Sequence, residues 1–184
     1  FSADLKSQDV MDAVSASAAV AAKLHLNSTP SVVVNRLLRS SRNDVTTISS
    51  YLDYIQLADK ADKNCPPMMV DPKKQYTATL KTEKGDIVIS LFPDKAPWAV
   101  NSFVHLIESG WYQGSGFFRV ITGYIAQAGD PSNTGLGTPG YQYSNEITPD
   151  LRFDKPGRVG MANAGADTNG AQFFITYAAV PELD

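Results

Sequence analysis

Few residues in this 184-residue chain are of types that make or break bonds. Cys65 is the one cysteine, so neither an intrachain disulfide nor a CxxC thiol pair can form. The two histidines, His25 and His105, leave little material for a metal cluster, which sets aside most zinc, thiol-redox and histidine-triad chemistry. His105 falls inside an apolar helical pattern and reads as a packing or surface residue. The stretch 129–140, GDPSNTGLGTPG, is glycine-rich but lacks the Gly-Lys-Ser/Thr of a phosphate loop, so it reads as a surface loop. A net charge of −3 gives no basic footprint for nucleic acid or anionic lipid. No apolar run approaches the roughly 18 residues that a membrane-spanning helix needs. Two segments stand out against this background. One is Phe117-Phe118-Arg119-Val120-Ile121-Thr122-Gly123-Tyr124-Ile125-Ala126-Gln127-Ala128-Gly129-Asp130. The other joins Met161-Ala162-Asn163-Ala164-Gly165 to Asn169-Gly170-Ala171-Gln172-Phe173-Phe174-Ile175. Such segments offer fixed charge, amides and aromatic surface rather than nucleophiles, metals or general bases.

The elements that must position these segments follow from composition and periodicity. With 43% hydrophobic and 19% charged residues the chain is a globular protein, not a disordered, collagen-like or coiled-coil one. All 13 glycines lie at or after Gly85, and only Phe1, Tyr51 and Tyr54 among the aromatic residues precede Tyr76. Between the halves lies ADKNCPPMMVDPKKQ, Ala61 to Gln75, whose prolines disfavour helix and predict a semi-rigid linker. Three parts are therefore expected: 1–60, a 61–75 linker and 76–184. In the first, Ser7 to Leu26 fits an amphipathic helix and Ser31 to Asn35 a buried strand. Asn43 or Asp44 can cap a second helix with Ile48, Tyr51, Leu52 and Ile55 on one face. In the third, Tyr76–Thr82 and Ile87–Phe92 flank the turn Glu83-Lys84-Gly85-Asp86 and predict a hairpin. Pro97 opens a helix with a stripe of Val100, Phe103, Val104 and Ile107, and Gly110 ends it. The short strands beyond, punctuated by glycine, indicate a mainly β barrel or sandwich rather than a parallel α/β sheet.

The two segments quoted above, at their separation, resemble the motifs of the cyclophilin-type peptidyl-prolyl cis-trans isomerases. The opening hairpin, the Pro97 helix and the 129–140 loop fit the same family, and the resemblance runs from about Tyr76 to Asp184. It implies a closed antiparallel β-barrel with a flanking helix, incomplete in this chain, and isomerisation of X-Pro bonds in flexible polypeptides without a cofactor or metal. Arg119 is then the donor that stabilises the twisted amide, with Gln127 orienting it and Phe174 on the proline ring as the third catalytic residue. Tyr124, Ile125 and Leu183 line the same apolar recess, and Ala162, Asn163 and Gln172 hold the peptide backbone. Phe173, by alternation, points into the core.

Several positions depart from the family's usual residues. Tyr124, Ile125 and Thr122 stand where phenylalanine, methionine and proline are usual, and Glu182 where tryptophan or histidine is. These departures motivate an alternative reading, a non-catalytic proline-peptide-binding or chaperone module. Barrel strands that the family carries beyond Asp184 are expected from another chain or fragment. Residues 1–60, in the order helix, Thr29-Pro30, strand, turn, helix, resemble the C-terminal part of thioredoxin-like oxidoreductases. Their CxxC is absent, and so no redox activity is carried over. The pairing of the two parts favours an extracytoplasmic folding factor.

Overall fold

The computed structural model describes residues 7–26, 32–34, 37–39, 45–62 and 64–184. The chain forms two units, Phe1–Ser49 and Ser50–Asp184, so the division falls inside the second helix rather than in the stretch 61–75. In the first unit, α1 (Gln8–Lys23) is rich in alanine, a strong helix former, and carries Asp9 in its first turn and Lys23 in its last, which complements the helix dipole. None of its residues is buried. The apolar face expected of it therefore covers nothing among the described residues. β1 (Val32–Val34) forms where a strand was expected, but it pairs antiparallel with β2 (Leu37–Arg39), read from the sequence as a turn. Thr29-Pro30 and the candidate caps Asn43 and Asp44 lie outside the described residues.

α2 (Val45–Lys60) has Leu57 as its one buried residue. Of the stripe expected at positions 48, 51, 52 and 55, Ile48, Tyr51 and Ile55 are half-buried and Leu52 is exposed. Leu57 packs with Leu106, Trp111 and Ala171 in the second unit. The proline-rich stretch that follows is held by hydrogen bonds to later parts of the chain. The buried Asn101 side chain accepts at Oδ1 from the Met69 and Val70 amides (2.6 and 3.3 Å) and donates from Nδ2 to the Pro67 carbonyl (3.0 Å). The Asp62 amide also donates to the Pro139 carbonyl at 2.7 Å.

β3 (Tyr76–Thr82) and β4 (Gly85–Leu91) form the expected hairpin, in register from Tyr76↔Leu91 to Thr82↔Gly85. Gly85, at φ +119°, supplies the turn conformation that L side chains rarely adopt. α3 (Pro97–Glu108) follows, with proline in its first turn. Ala96 stands at the N-cap and offers no side-chain oxygen; Glu146, far along the chain, accepts from the Trp98 and Ala99 amides at 3.1 and 2.8 Å instead. Gly110, at φ +75°, ends the helix in a Schellman arrangement, its amide bonded to Ile107 and that of Trp111 to Leu106. Val100, Phe103 and Leu106 are buried while Ile107 is exposed, so the apolar stripe is rotated from the expected one.

β5 (Arg119–Ile121), β6 (Ile125–Ala128), β7 (Val159–Met161) and β8 (Phe173–Thr176) form an antiparallel sheet in the order β5-β6-β8-β7. The resemblance implied a barrel left incomplete in this chain, and no closed barrel is present among the described residues. Closure requires every edge strand to find a partner, and no ladder joins β3 or β4 to this sheet, or β5 to β7. The core lies on one face of the sheet. Phe103, Tyr112 and Phe173 form a ring triad with centroids 5.2 to 5.8 Å apart, and Ala78 and Ala128 pack within the same cluster.

Candidate active site

Antiparallel pairing places one row of residues across the whole second sheet. Arg119 on β5 faces Gln127 on β6, Gln127 faces Phe174 on β8, and Phe174 faces Gly160 on β7. Directly opposed residues point to the same side of a sheet, so all four share one face. Ile125, two residues before Gln127, is on that face too and is buried. Phe173, one residue from Phe174, points the other way into the core and meets Phe103 and Tyr112 edge-on at 89°. Alternation therefore separates the two phenylalanines as the sequence suggested.

A chain of hydrogen bonds runs along the polar end of this row. Arg119 Nη1 donates to Gln127 Oε1 (3.1 Å), Gln127 Nε2 donates to Gln172 Oε1 (2.9 Å), and Gln172 Nε2 donates to the carbonyls of Gly135 and Gly137 (3.0 and 3.2 Å). Arg119 is exposed, Gln127 and Gln172 are half-buried, and Phe174 is only 7% exposed. No carboxylate pairs with Arg119 among the described residues. Tyr112, on the core side, donates its hydroxyl to the Ala171 carbonyl at 2.9 Å. Burial holds its phenol well above the ordinary tyrosine range, so it acts as a neutral donor steadying the approach to β8.

The remaining expected residues divide. Ala162 is joined to Gln172 by its amide, which donates to the Gln172 carbonyl at 2.8 Å. Asn163 is exposed, and its Nδ2 donates to Asn169 Oδ1 and Asn145 Oδ1 at 3.1 and 3.4 Å. Tyr124 is half-buried in the β5–β6 turn, which its amide closes onto Ile121 (3.0 Å). Leu183 lies apart from the row, in a 3-10 turn, Pro181–Leu183. It lines a cavity of about 800 Å3 with Ile89, Phe103, Val159, Phe173 and Ile175, and Arg119, Gln127 and Phe174 are not among its lining residues. That cavity is not beside the guanidinium.

Sequence reasoning missed Phe153. Its ring packs against Phe174 with centroids 5.1 Å apart, over Gly160, where a Cβ would come within 2.5 Å of Phe153 and 2.8 Å of Phe174. A glycine inside a strand marks such a close approach, and that was the available signal. No group of histidine, cysteine or carboxylate residues able to hold a metal exists among the described residues. The arrangement can bind an extended chain beside an apolar ring and direct a fixed positive charge at it.

A family model described as cyclophilin type peptidyl-prolyl cis-trans isomerase/CLD matches residues 77–184. The chain is 44% identical over 136 residues to peptidyl-prolyl cis-trans isomerase A of Mycobacterium tuberculosis, covering 66% of this chain and 75% of that protein. It is 42% identical over 127 residues to the peptidyl-prolyl cis-trans isomerase of Helicobacter pylori, covering 63% of this chain and 78% of the relative. Among solved structures, a Cryptosporidium parvum cyclophilin-type isomerase crystallised in the presence of the dipeptide Ala-Pro matches with a TM-score of 0.57 and 38% identity. That match covers 59% of this chain and 72% of the other.

Proposed function

The chain belongs to the cyclophilin-type peptidyl-prolyl cis-trans isomerase family, and from that membership we propose how its own residues perform the isomerisation. A prolyl peptide bond rotates over a barrier of about 18–20 kcal/mol with no bond broken. At the top of the barrier amide resonance is lost and the prolyl nitrogen gains basicity. A cationic donor held beside that nitrogen binds the twisted amide better than either planar form, and each 1.36 kcal/mol of that preference is about tenfold in rate. Arg119 supplies the cationic, forked donor, Gln127 holds the guanidinium, and Phe174 offers the apolar surface for the ring. Ala162, Asn163 and Gln172 take the peptide backbone and Tyr124 and Ile125 border the recess, whereas Leu183, on the separate cavity, takes no part in it. X-Pro segments of flexible polypeptides are the substrates, consistent with the dipeptide in the Cryptosporidium parvum crystal.

The observation that carries this reading is the 3.1 Å bond from Arg119 to Gln127 in the same sheet row as Phe174, with no carboxylate neutralising the charge among the described residues. In a protease-coupled assay on a proline tetrapeptide, Arg119→Ala is expected to lose about 10²–10³-fold in kcat/KM, with the melting temperature nearly unchanged. Equal turnover by variant and parent would remove Arg119 from the mechanism.

Two finer readings extend the proposal. The open edges of β4 and β7 and the apolar cavity behind them suit a further polypeptide segment that completes the sheets. An unchanged amide-exchange rate at both edges in the presence of such a segment would count against it. Residues 1–60 are read as a piece of a thioredoxin-like domain, a reading that the order α1, β1, β2, α2 supports. Backbone chemical shifts lacking a strand at Val32–Val34 would sink that idea.

A further inference from the structure

Asp130 follows β6 by two residues, three beyond Gln127, and is fully buried. No cation pairs with it among the described residues. Its hydration is replaced by five donors. Oδ1 accepts from the Ser132 amide (2.9 Å) and hydroxyl (2.7 Å), and Oδ2 accepts from the Thr134 hydroxyl (3.2 Å) and the amides of Gly135 (2.7 Å) and Gly137 (3.1 Å). A buried carboxylate tolerates the loss of water only when its lone pairs are filled in this way. Gly137 is required by space: a Cβ there would come within 2.0 Å of Asp130 Oδ1.

These bonds have a consequence at the sheet row. Gly135 and Gly137, held by Asp130 through their amides, present their carbonyls to Gln172 Nε2, so both hydrogens of that amide group are committed. A primary amide is nearly symmetric in shape, and only its partners decide which end is oxygen. With Nε2 facing the two carbonyls, Gln172 Oε1 must face Gln127 and accept from its Nε2, which leaves Gln127 Oε1 toward Arg119. The polarity of both amides is set from Asp130 outward.

We propose that Asp130 is a positioning residue of the isomerase site: by pinning the Gly135 and Gly137 carbonyls it fixes the sense of Gln172 and Gln127, so that an acceptor and not an amino group meets the Arg119 guanidinium. The inference rests on the role given to Arg119 above. Asparagine at position 130 keeps one acceptor but turns an amino group toward amide donors, and so releases the loop.

The test is a double-mutant cycle on the full chain with Asp130→Asn and Gln172→Leu, read as kcat and KM in the proline-peptide assay and as urea midpoints. Each single variant is expected to lower kcat about tenfold, Asp130→Asn with KM within about twofold, and the double variant to be no slower in kcat than Gln172→Leu alone, although Asp130→Asn lowers the urea midpoint in both backgrounds. Losses in kcat that multiply would overturn the proposal, as would an unchanged kcat in Asp130→Asn. Should Asp130→Asn not fold, Ser132→Ala, which removes one donor from Oδ1, enters the same cycle with the same two outcomes. Arg119→Ala run alongside separates the failures: full activity there overturns both readings, whereas loss there with multiplying effects overturns the Asp130 relay alone.

Discussion

Arg119, Gln127, Gln172 and Phe174 come from two segments of sequence some 45 residues apart and meet only because β6 pairs with β8. Residue types and spacing made each a candidate, and the resemblance to a family supplied their roles. Nothing local announced Phe153, whose ring reaches Phe174 from a stretch without regular structure. The absence of a side chain at Gly160 makes that stacking possible, and a methyl group there would overlap both rings. Gly160→Ala is therefore expected to destabilise the fold by about 1–3 kcal/mol, through overpacking, and to raise KM more than it lowers kcat by displacing the Phe174 ring. Urea unfolding together with the proline-peptide assay checks both. A variant with the parent's midpoint and KM would show that the rings adapt without cost.

At the scale of the element, α3 shows how far periodicity carries. Its start at Pro97 and its end at Gly110 were legible because both residues act through their own backbone. Its buried face was not: a stripe at 100, 103, 104 and 107 and one at 100, 103 and 106 are both helical, and only the neighbours choose. Asn101 and Ser102 are buried too, because the 61–75 stretch and Tyr141 supply their hydrogen bonds. The N-terminal cap was equally hidden, since Glu146 reaches it across 47 residues of chain. Glu146→Ala is expected to lower stability by about 1–2 kcal/mol, for it removes an acceptor from two amides and a negative charge from the positive end of the dipole. Glu146→Gln keeps the acceptor and is expected to cost about half as much. Urea midpoints of the two variants give the order, and equal stability of parent and Glu146→Ala would rule the cap out.

At the scale of the whole molecule, the division at Ser49/Ser50 assigns α2 from Ser50 onward to the unit that carries the sheet row. Composition placed the boundary some ten residues later, because glycine and aromatic content shift there while contacts do not. Leu57→Ala, emptying a site among Leu106, Trp111 and Ala171, is expected to cost about 2–3 kcal/mol. Val14→Ala on α1, at a position 59% exposed, is expected to stay within about 0.5 kcal/mol. Unfolding followed by Trp111 fluorescence makes the comparison, and equal effects would remove Leu57 from the core of the second unit.

Read alone, the chain set aside most thiol and metal-cluster chemistry by the scarcity of cysteine and histidine. It located the hairpin, the Pro97 helix and the strands, and it marked Arg119, Gln127 and Phe174. Those conclusions depend on residue type, short-range backbone preference and motif spacing, which are written linearly. Tertiary structure decided the rest: which helix faces are buried, that the 61–75 stretch is packed, that the described strands form three separate sheets, that Phe153 roofs Phe174, and that Asp130 holds the Gly135 and Gly137 amides. Each of these depends on contacts between residues far apart in the chain, and burial and hydrogen-bond polarity at such contacts are set by the partner rather than by the residue itself.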